Sequence, residues 1–310
     1  MTQRKLLDNS MITQYLRCPR SYFYKYHLGW RSNRANVNLI WGEALHRVLA
    51  HWYTSGGELR SIVPGEDYYR EHYAPTDDAD NAPKTCAALG TCFKDYVRVY
   101  EKEDQQYTTL AVEIGFKLEI APGVWMSGRI DQILQDNITG DIVVRDHKSS
   151  SRLPDAKGIN QWQMNPQAAC YLTAAKRKYP EHHVREFEVN VVVPRKVSTA
   201  KSGKQSPTGL QRISVGLTDE QLKLWKYETT WLHTQIVDNI LEHEQQGTLD
   251  FSRNPTSCYD FGSLCTYFDQ CSVWTNPLDH IDKGPPRGMC VDHWNPLEDL
   301  KCEEVWELPL

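Results

Sequence analysis

Two aspartates and a lysine stand where their side chains could act on a phosphate. Asp131 occurs in SGRID, and Asp146 and Lys148 close the run VVRDHKSS. Side chains alternate along a strand, so Asp146 and Lys148 project to one face while His147 between them points away. A carboxylate placed there can bind a divalent cation, and the lysine can orient or deprotonate a water. The backbone carbonyl of His147 faces the same site and offers a third oxygen ligand. Hydrolysis of a phosphodiester needs this combination: positive charge for the phosphate oxygens and a water with a lowered pKa. An Asp-x-Lys triplet at a strand end also occurs as a solvated edge, so the surrounding elements and motifs decide its meaning.

Strands must carry these residues, and three β-rich runs follow one another over 107–148. They read YTTLAVEIGFKLEI, VWMSGRIDQILQD and DIVVRDHKSS, separated by the turn signals APG and NITG. An antiparallel meander is the simplest arrangement, and it lays Asp131 beside Asp146. Before it the chain reads as mostly helical. Residues 10–28 form a Ser-started helix with a proline break, 41–54 a helix with Trp41, Leu45 and Leu49 near one face, and 86–104 another. The segment 56–84 carries the Gly, Pro and Asp density of a loop or insertion. After the meander come a helix at 160–179, a strand at 185–194, a Ser/Gly/Lys loop, a short strand at 210–217 and a long helix from Thr218 to Glu244. Thr218, with Glu220 and Gln221 behind it, caps that last helix. The order helix, three strands, helix, strand predicts a mixed α/β fold, a central mixed sheet flanked by helices.

Three further motifs fall around the Asp-x-Lys strand. Gly42-x-x-x-His46 lies on the early helix, Glu113 in AVEIGF on the first strand, and Gln167-x-x-x-Tyr171 on the helix after Asp146. Positions i and i+4 share one helical face, so Gln167 and Tyr171 can line a cleft together. Taken singly, His46 also reads as a satisfied helix histidine, Gln167 as a surface residue and Tyr171 as a core-edge aromatic. In this order the set resembles the PD-(D/E)XK nuclease superfamily, and within it the RecB-type nucleases. The resemblance covers residues 10–275. It implies a restriction-endonuclease-like core in which His46, Asp131, Asp146 and the His147 carbonyl hold Mn2+ or Mg2+. Lys148, Gln167 and Tyr171 would then serve catalysis, with Glu113 an accessory acid.

The nine cysteines supply a separate line. With no export signal in MTQRKLLDNS, thiols or metal ligands are expected rather than a disulfide framework. Cys18 stands in YLRCPRSYFY, and Cys258, Cys265 and Cys271 form C-x6-C-x5-C far downstream. One cysteine before the core and three after it resembles the iron–sulfur subset of RecB-like nucleases, which includes AddB-type and CRISPR-associated exonucleases and phage members. That resemblance implies a [4Fe–4S] cluster joining the two ends of the region. The six-residue spacer after Cys258 is longer than usual for the subset, which leaves Zn2+ as an alternative, with Cys290, His293 or Cys302 as substitute ligands. Cys86, Cys92 and Cys170 read as buried small hydrophobes.

Composition bounds the rest. A formal net charge of -5 argues against a protein that coats nucleic acid by bulk electrostatics. Local patches can still track a backbone: Arg195, Lys196, Lys201 and Lys204 with Arg212 beyond, and Lys176–Lys178 at a helix end. No run approaches the roughly 18 to 20 apolar residues of a membrane-spanning helix, so a soluble, cytoplasmic protein is expected, in a bacterial host if phage-encoded. The expected domain is 1–275, with a helical part over 1–105 and the iron–sulfur segment at 250–275. The tail 276–310 matches nothing recognisable. These readings point to a metal-dependent DNA nuclease, an exonuclease or end-processing enzyme favouring single strands. No phosphate-binding G-x-x-x-x-G-K-[ST] loop accompanies it, so unwinding would fall to a helicase, recombinase or CRISPR-adaptation partner, and homo-oligomers are compatible. The alternatives are a DNA-binding or scaffold protein that has lost catalysis on the same fold, and a zinc protein whose acids are incidental.

Overall fold

The first helix is set by Asp8. Its carboxylate accepts the Met11 N–H at 2.8 Å and caps α1 (Asn9–Arg17), while Leu7–Asp8 form the short strand β1. The structure is a computed structural model, and it describes residues 6–73, 82–196, 206–249, 251–260, 262–295 and 304–310. Cys18 is extended, and Pro19 opens α2 (Pro19–Tyr22) because proline starts a helix more readily than it continues one. A π-helical turn over Phe23–His27 leads to β2 (Trp30–Ser32).

α3 (Val37–Thr54), α4 (Ile62–His72) and α5 (Cys86–Asp104) complete the helical part. α4 corrects the expectation of a loop over 56–84. Its Pro64 falls in the first turn, where no helical N–H is lost, and its Gly65 marks a close contact with α3. A Cβ on Gly65 would lie 2.3 Å from Val48 Cγ2 and 2.5 Å from the Ala44 carbonyl oxygen.

The meander follows as expected: β3 (Tyr107–Ala121), β4 (Val124–Asp136) and β5 (Ile142–Ser149). Then come α6 (Ala156–Gln161), α7 (Pro166–Lys178), β6 (Val184–Val193), β7 (Gly209–Val215) and α8 (Asp219–Gln246). The helix expected at 160–179 is split at Asn165, whose side chain caps α7 by accepting the Gln167 N–H. Thr218 and Gln221 form the reciprocal capping box that opens α8. The C-terminal part adds β8 (Tyr259–Asp260), β9 (Ser263–Leu264), α9 (Phe268–Val273), β10 (Met289–Val291) and β11 (Val305–Leu308).

Seven strands build the main sheet in the order β11-β3-β4-β5-β6-β7, with β1 beside β4. β5 and β6 run parallel and the meander antiparallel, so the sheet is mixed. One face packs on α1, α7 and α8 through Phe116, Ile130, Phe187 and Ile236; the other packs on α3 and α5 through Trp41, Leu45, Leu49, Phe93 and Val192. Helices cover both faces, as the mixed α/β reading requires. The segment after 275 is not an appendage: β11 pairs with β3, its Trp306 is buried, and β10 pairs with β2. Among the described residues no helix is long and apolar enough to cross a membrane.

Candidate metal centre

A split in the sheet creates the site. β4 and β5 pair from Gln135↔Ile142 up to Gln132↔Arg145 and then part, and β1 takes the freed edge of β4 at Met126 and Ser127. Asp131 and Asp146 are the first residues past the split. The His147 N–H, which has lost its ladder partner on that edge, is accepted by Asp131 Oδ2 at 2.6 Å. The carboxylate thus repairs the backbone and is fixed by it.

Three elements bring further donors to Asp131. Glu113 on β3 lies opposite it, between the pairs Val112↔Gln132 and Ile114↔Ile130. Its φ of +50° is a left-handed conformation that costs a non-glycine residue on the order of 1–3 kcal/mol. His46 comes from α3, with Nδ1 3.4 Å from Asp131 Oδ1 and 3.5 Å from Glu113 Oε1. Gly42, one turn earlier, lets α3 approach: a Cβ there would sit 3.3 Å from Ser149 Oγ at the end of β5. The spacing Gly42-x-x-x-His46 therefore has a packing reason as well as a chemical one.

Donor atoms of His46, Glu113 and Asp131 all lie within 4.8 Å of one another. The buried His46 Nδ1 makes no hydrogen bond, although two carboxylates face it. An unsatisfied ring nitrogen between two acids, at spacings near those of ligands around one divalent ion, fits a cation of the Mn2+ or Mg2+ kind.

Beside this trio, Asp146 is held by a different set. Lys148 Nζ lies 3.0 and 2.7 Å from its two oxygens, and Gln167 Nε2 donates to Oδ1 at 3.1 Å. Gln167 also donates to the Tyr171 hydroxyl at 3.0 Å, as the i, i+4 spacing on α7 allows. Tyr171 reaches over β4 because Gly128 is bare there; a Cβ would lie 2.9 Å from its ring. The His147 ring points away, stacking on Tyr53 and bonding Asn190 at 2.8 Å.

Electrostatics follow from this crowding. Burial raises the Asp131 pKa, yet the charge of the neighbouring His46 leads the effects that outweigh it and hold the carboxyl below the ordinary range. Burial opposes protonation of His46, but Asp131 and Glu113 lift its pKa well above the usual histidine value. Asp146 is raised to about 6 by burial, with Lys148 opposing and Asp131 adding to the rise. Burial works against the Lys148 ammonium, and Asp146 then Asp131 reverse it, so Lys148 stays charged.

Two features escaped the sequence reading. Arg129 in SGRID pairs with Glu113 at 2.8 Å and with Glu43 at 3.3 Å, closing one side of the site. Its position two residues before Asp131, on the same strand face, was the available signal. Beneath β5, the fully buried Arg145 is bonded to Asp104 and Glu188, and Arg212 joins them from β7 at 2.8 Å from Asp104. Arg212 is thereby committed to the interior. The Lys176–Lys178 run is committed too: Lys176 pairs with Asp219, Arg177 donates to the carbonyls of Glu119 and Pro309, and Lys178 sits over the Trp306 ring. Arg195 lies near Gly209 and Lys196 has an interaction partner, whereas Lys201 and Lys204 fall outside the described residues.

Cys18, Cys258, Cys265 and Cys271 line one cavity of about 1240 Å³, with Cys290 at its rim. Cys18 Sγ accepts the Asn254 N–H at 3.4 Å, and Asn254 and Ser257 bond the Arg17 carbonyl, so the segment after α8 is tied to the end of α1. Cys92 and Cys170 are buried, as expected, while Cys86 is only half-buried and Cys302 lies outside the described residues.

The chain belongs to the PD-(D/E)XK nuclease superfamily, whose sequence model matches residues 9–272. That span contains His46, Glu113, Asp131, Asp146, Lys148, Gln167, Tyr171 and the four cysteines through Cys271, and members of the superfamily are typically metal-dependent nucleases. No curated protein matches the chain. A solved structure, SSO0001, aligns with 72% of this chain and 85% of its own at 13% identity and a TM-score of 0.26, a likeness too slight to bear on function.

Proposed function

We propose that the chain is a divalent-metal-dependent deoxyribonuclease, an exonuclease or DNA-end-processing enzyme that favours single strands. The observation that carries this reading is the convergence of His46, Glu113 and Asp131 beside an Asp146 that holds the Lys148 ammonium. His46, Asp131 and Glu113 would hold the cation, with Asp146 as a further carboxylate beside them. The His147 carbonyl joins them: its N–H points into the split, and a strand residue directs both backbone groups to the same side. The cation, when bound, neutralises phosphate charge and lowers the pKa of bound water. Lys148, kept protonated, orients the attacking water and a phosphate oxygen rather than removing a proton. Gln167 fixes the Asp146 carboxylate against it, and Tyr171 fixes Gln167. The deciding experiment is cleavage of labelled single- and double-stranded DNA in Mn2+ and in Mg2+, beside Lys148→Ala. Cleavage that survives Lys148→Ala undiminished, or that proceeds without divalent metal, refutes the assignment.

The cysteine cavity supports the RecB-like iron–sulfur reading. The four thiols are near enough to feel one another: Cys265 lies in the field of Cys18 and Cys258, and Cys271 in that of Cys18, Cys265 and Cys258. N–H groups aimed at sulfur, such as Asn254 N–H on Cys18, are among the interactions that tune such clusters. The cluster's role is structural, joining α1 to the segment after α8. Unwinding, where it is needed, falls to a helicase or recombinase partner.

A further inference from the structure

The cavity of the metal centre, about 530 Å³, and that of the cysteines share a wall: Gln14, Arg17, Lys25, Tyr26 and Trp294 line both. One groove therefore runs from Asp146 and Lys148 to the cysteines. Among the described residues, its cysteine half is lined by Arg17, Lys25, Arg31, Arg34 and Arg253 against a single acid, Asp292. This occurs in a chain whose 40 Asp and Glu outnumber its 35 Lys and Arg. Cations gathered against the overall charge mark the seat of an anion.

Two anions compete for it, a thiolate cluster and a phosphate backbone. Arg17 is felt at Cys265 and Arg20 at Cys271, so those two arginines serve the cysteines. Lys25 belongs to the neck between the halves. Its ammonium lies over the Tyr26 ring at 4.9 Å, and among the described residues no carboxylate pairs with it. Asp8, whose charge reaches it, is occupied by the Met11 N–H and the Trp294 indole N–H. Burial, and then the charge of Arg31, push the Lys25 pKa down, as befits an uncompensated cation. Arg31 stands beside it, paired with Asp292 at 3.1 Å and lying over Trp294 at 5.4 Å, while its buried Nε has no partner. The β2–β10 pairing, Arg31↔Cys290, fixes this contact, which gives the C-terminal segment a task.

We propose that Lys25 and Arg31, the latter positioned by Asp292 and Trp294, form a phosphate-binding lane that guides one DNA strand along the groove to the metal centre. The proposal rests on the nuclease reading above, and binding can be tested apart from cleavage. Fluorescence anisotropy of a labelled oligothymidine is followed over a salt series with the full-length chain, purified anaerobically, in a Lys148→Ala background without divalent metal. Lys25→Gln should weaken binding and reduce the log–log salt slope by about 0.7, the share of one single-strand phosphate contact. Lys25→Arg should restore it, and absorbance near 400 nm should be the same in all three proteins. An unchanged slope in Lys25→Gln overturns the lane, as does loss of colour in that variant, which would assign the lysine to the cysteines. A chain that binds with the Lys25-dependent slope but never cleaves upholds the lane and removes the nuclease. Lys148-dependent cleavage with a Lys25-independent slope removes only the lane.

Discussion

Loading the metal centre should release protons, and their number identifies its ligands. Near neutral pH His46 carries a proton, because Asp131 and Glu113 hold its pKa well above the ordinary value of about 6.5. Nδ1, the atom facing both carboxylates, must lose that proton to coordinate. One proton therefore leaves per ion, and the apparent affinity for Mn2+ should rise about tenfold per pH unit, or about 1.36 kcal/mol. Below about 6 the Asp146 carboxyl is protonated as well, so the slope should steepen there if its carboxylate reaches the ion. The apo protein behaves oppositely. His46, with a raised pKa, stabilises the fold below its unfolded pKa and loses that contribution as pH rises through the folded one. Asp131, with a depressed pKa, stabilises it above its unfolded pKa and loses that contribution as pH falls through the folded one. Both describe one interaction, which a cation bound at the proposed site would replace. Isothermal titration with Mn2+ in buffers of differing ionisation enthalpy counts the protons directly. Affinity that ignores pH above about 6, or a slope that survives His46→Gln, would refute the argument.

Activity should be higher in Mn2+ than in Mg2+ at equal concentration, since His46 adds a nitrogen donor that Mg2+ accepts poorly, and His46→Ala should narrow that gap in parallel rate measurements. Gly65→Ala should destabilise the fold by about 1–3 kcal/mol, because its methyl meets Val48 and the Ala44 carbonyl of the helix that carries His46; urea unfolding should show a lower midpoint at unchanged slope. Anaerobically purified protein should be brown with about four irons per chain. Cys258→Ser should bleach it and Cys86→Ser should not, as visible absorbance and iron analysis would record.

What was legible in the sequence was what local periodicity carries. Period two placed Asp146 and Lys148 on one face, the i, i+4 rule joined Gln167 to Tyr171, and Thr218 with Gln221 marked the start of α8. The missed or undervalued parts depend on register and on distant charge. Glu113 read as an accessory acid because nothing local says that it faces Asp131, which requires the β3–β4 register and a backbone at positive φ. Arg145 sits in a strand run as if half-exposed, yet it is fully buried, with Asp104 and Glu188 supplied from α5 and β6. α4 was hidden by Pro64 and Gly65, which lower helix propensity locally but suit a first turn and a close helix crossing. β11 pairs in parallel with a strand some 190 residues earlier, at Glu307↔Lys117, a partner no local pattern announces.

The same non-local dependence explains why the acids alone were an ambiguous signal. Glu113 and Asp131 face each other across two strands and repel unless a cation lies between them. In this chain His46 and Arg129 supply that charge from α3 and β4, so the site is held together before any metal arrives. On the proposed assignment a divalent ion would displace only a proton from His46, with Arg129 still paired to Glu113. On the proposed assignment α3 is part of the metal centre, and the Gly65 and Gly42 contacts that seat α3 would be conditions for binding as much as for folding.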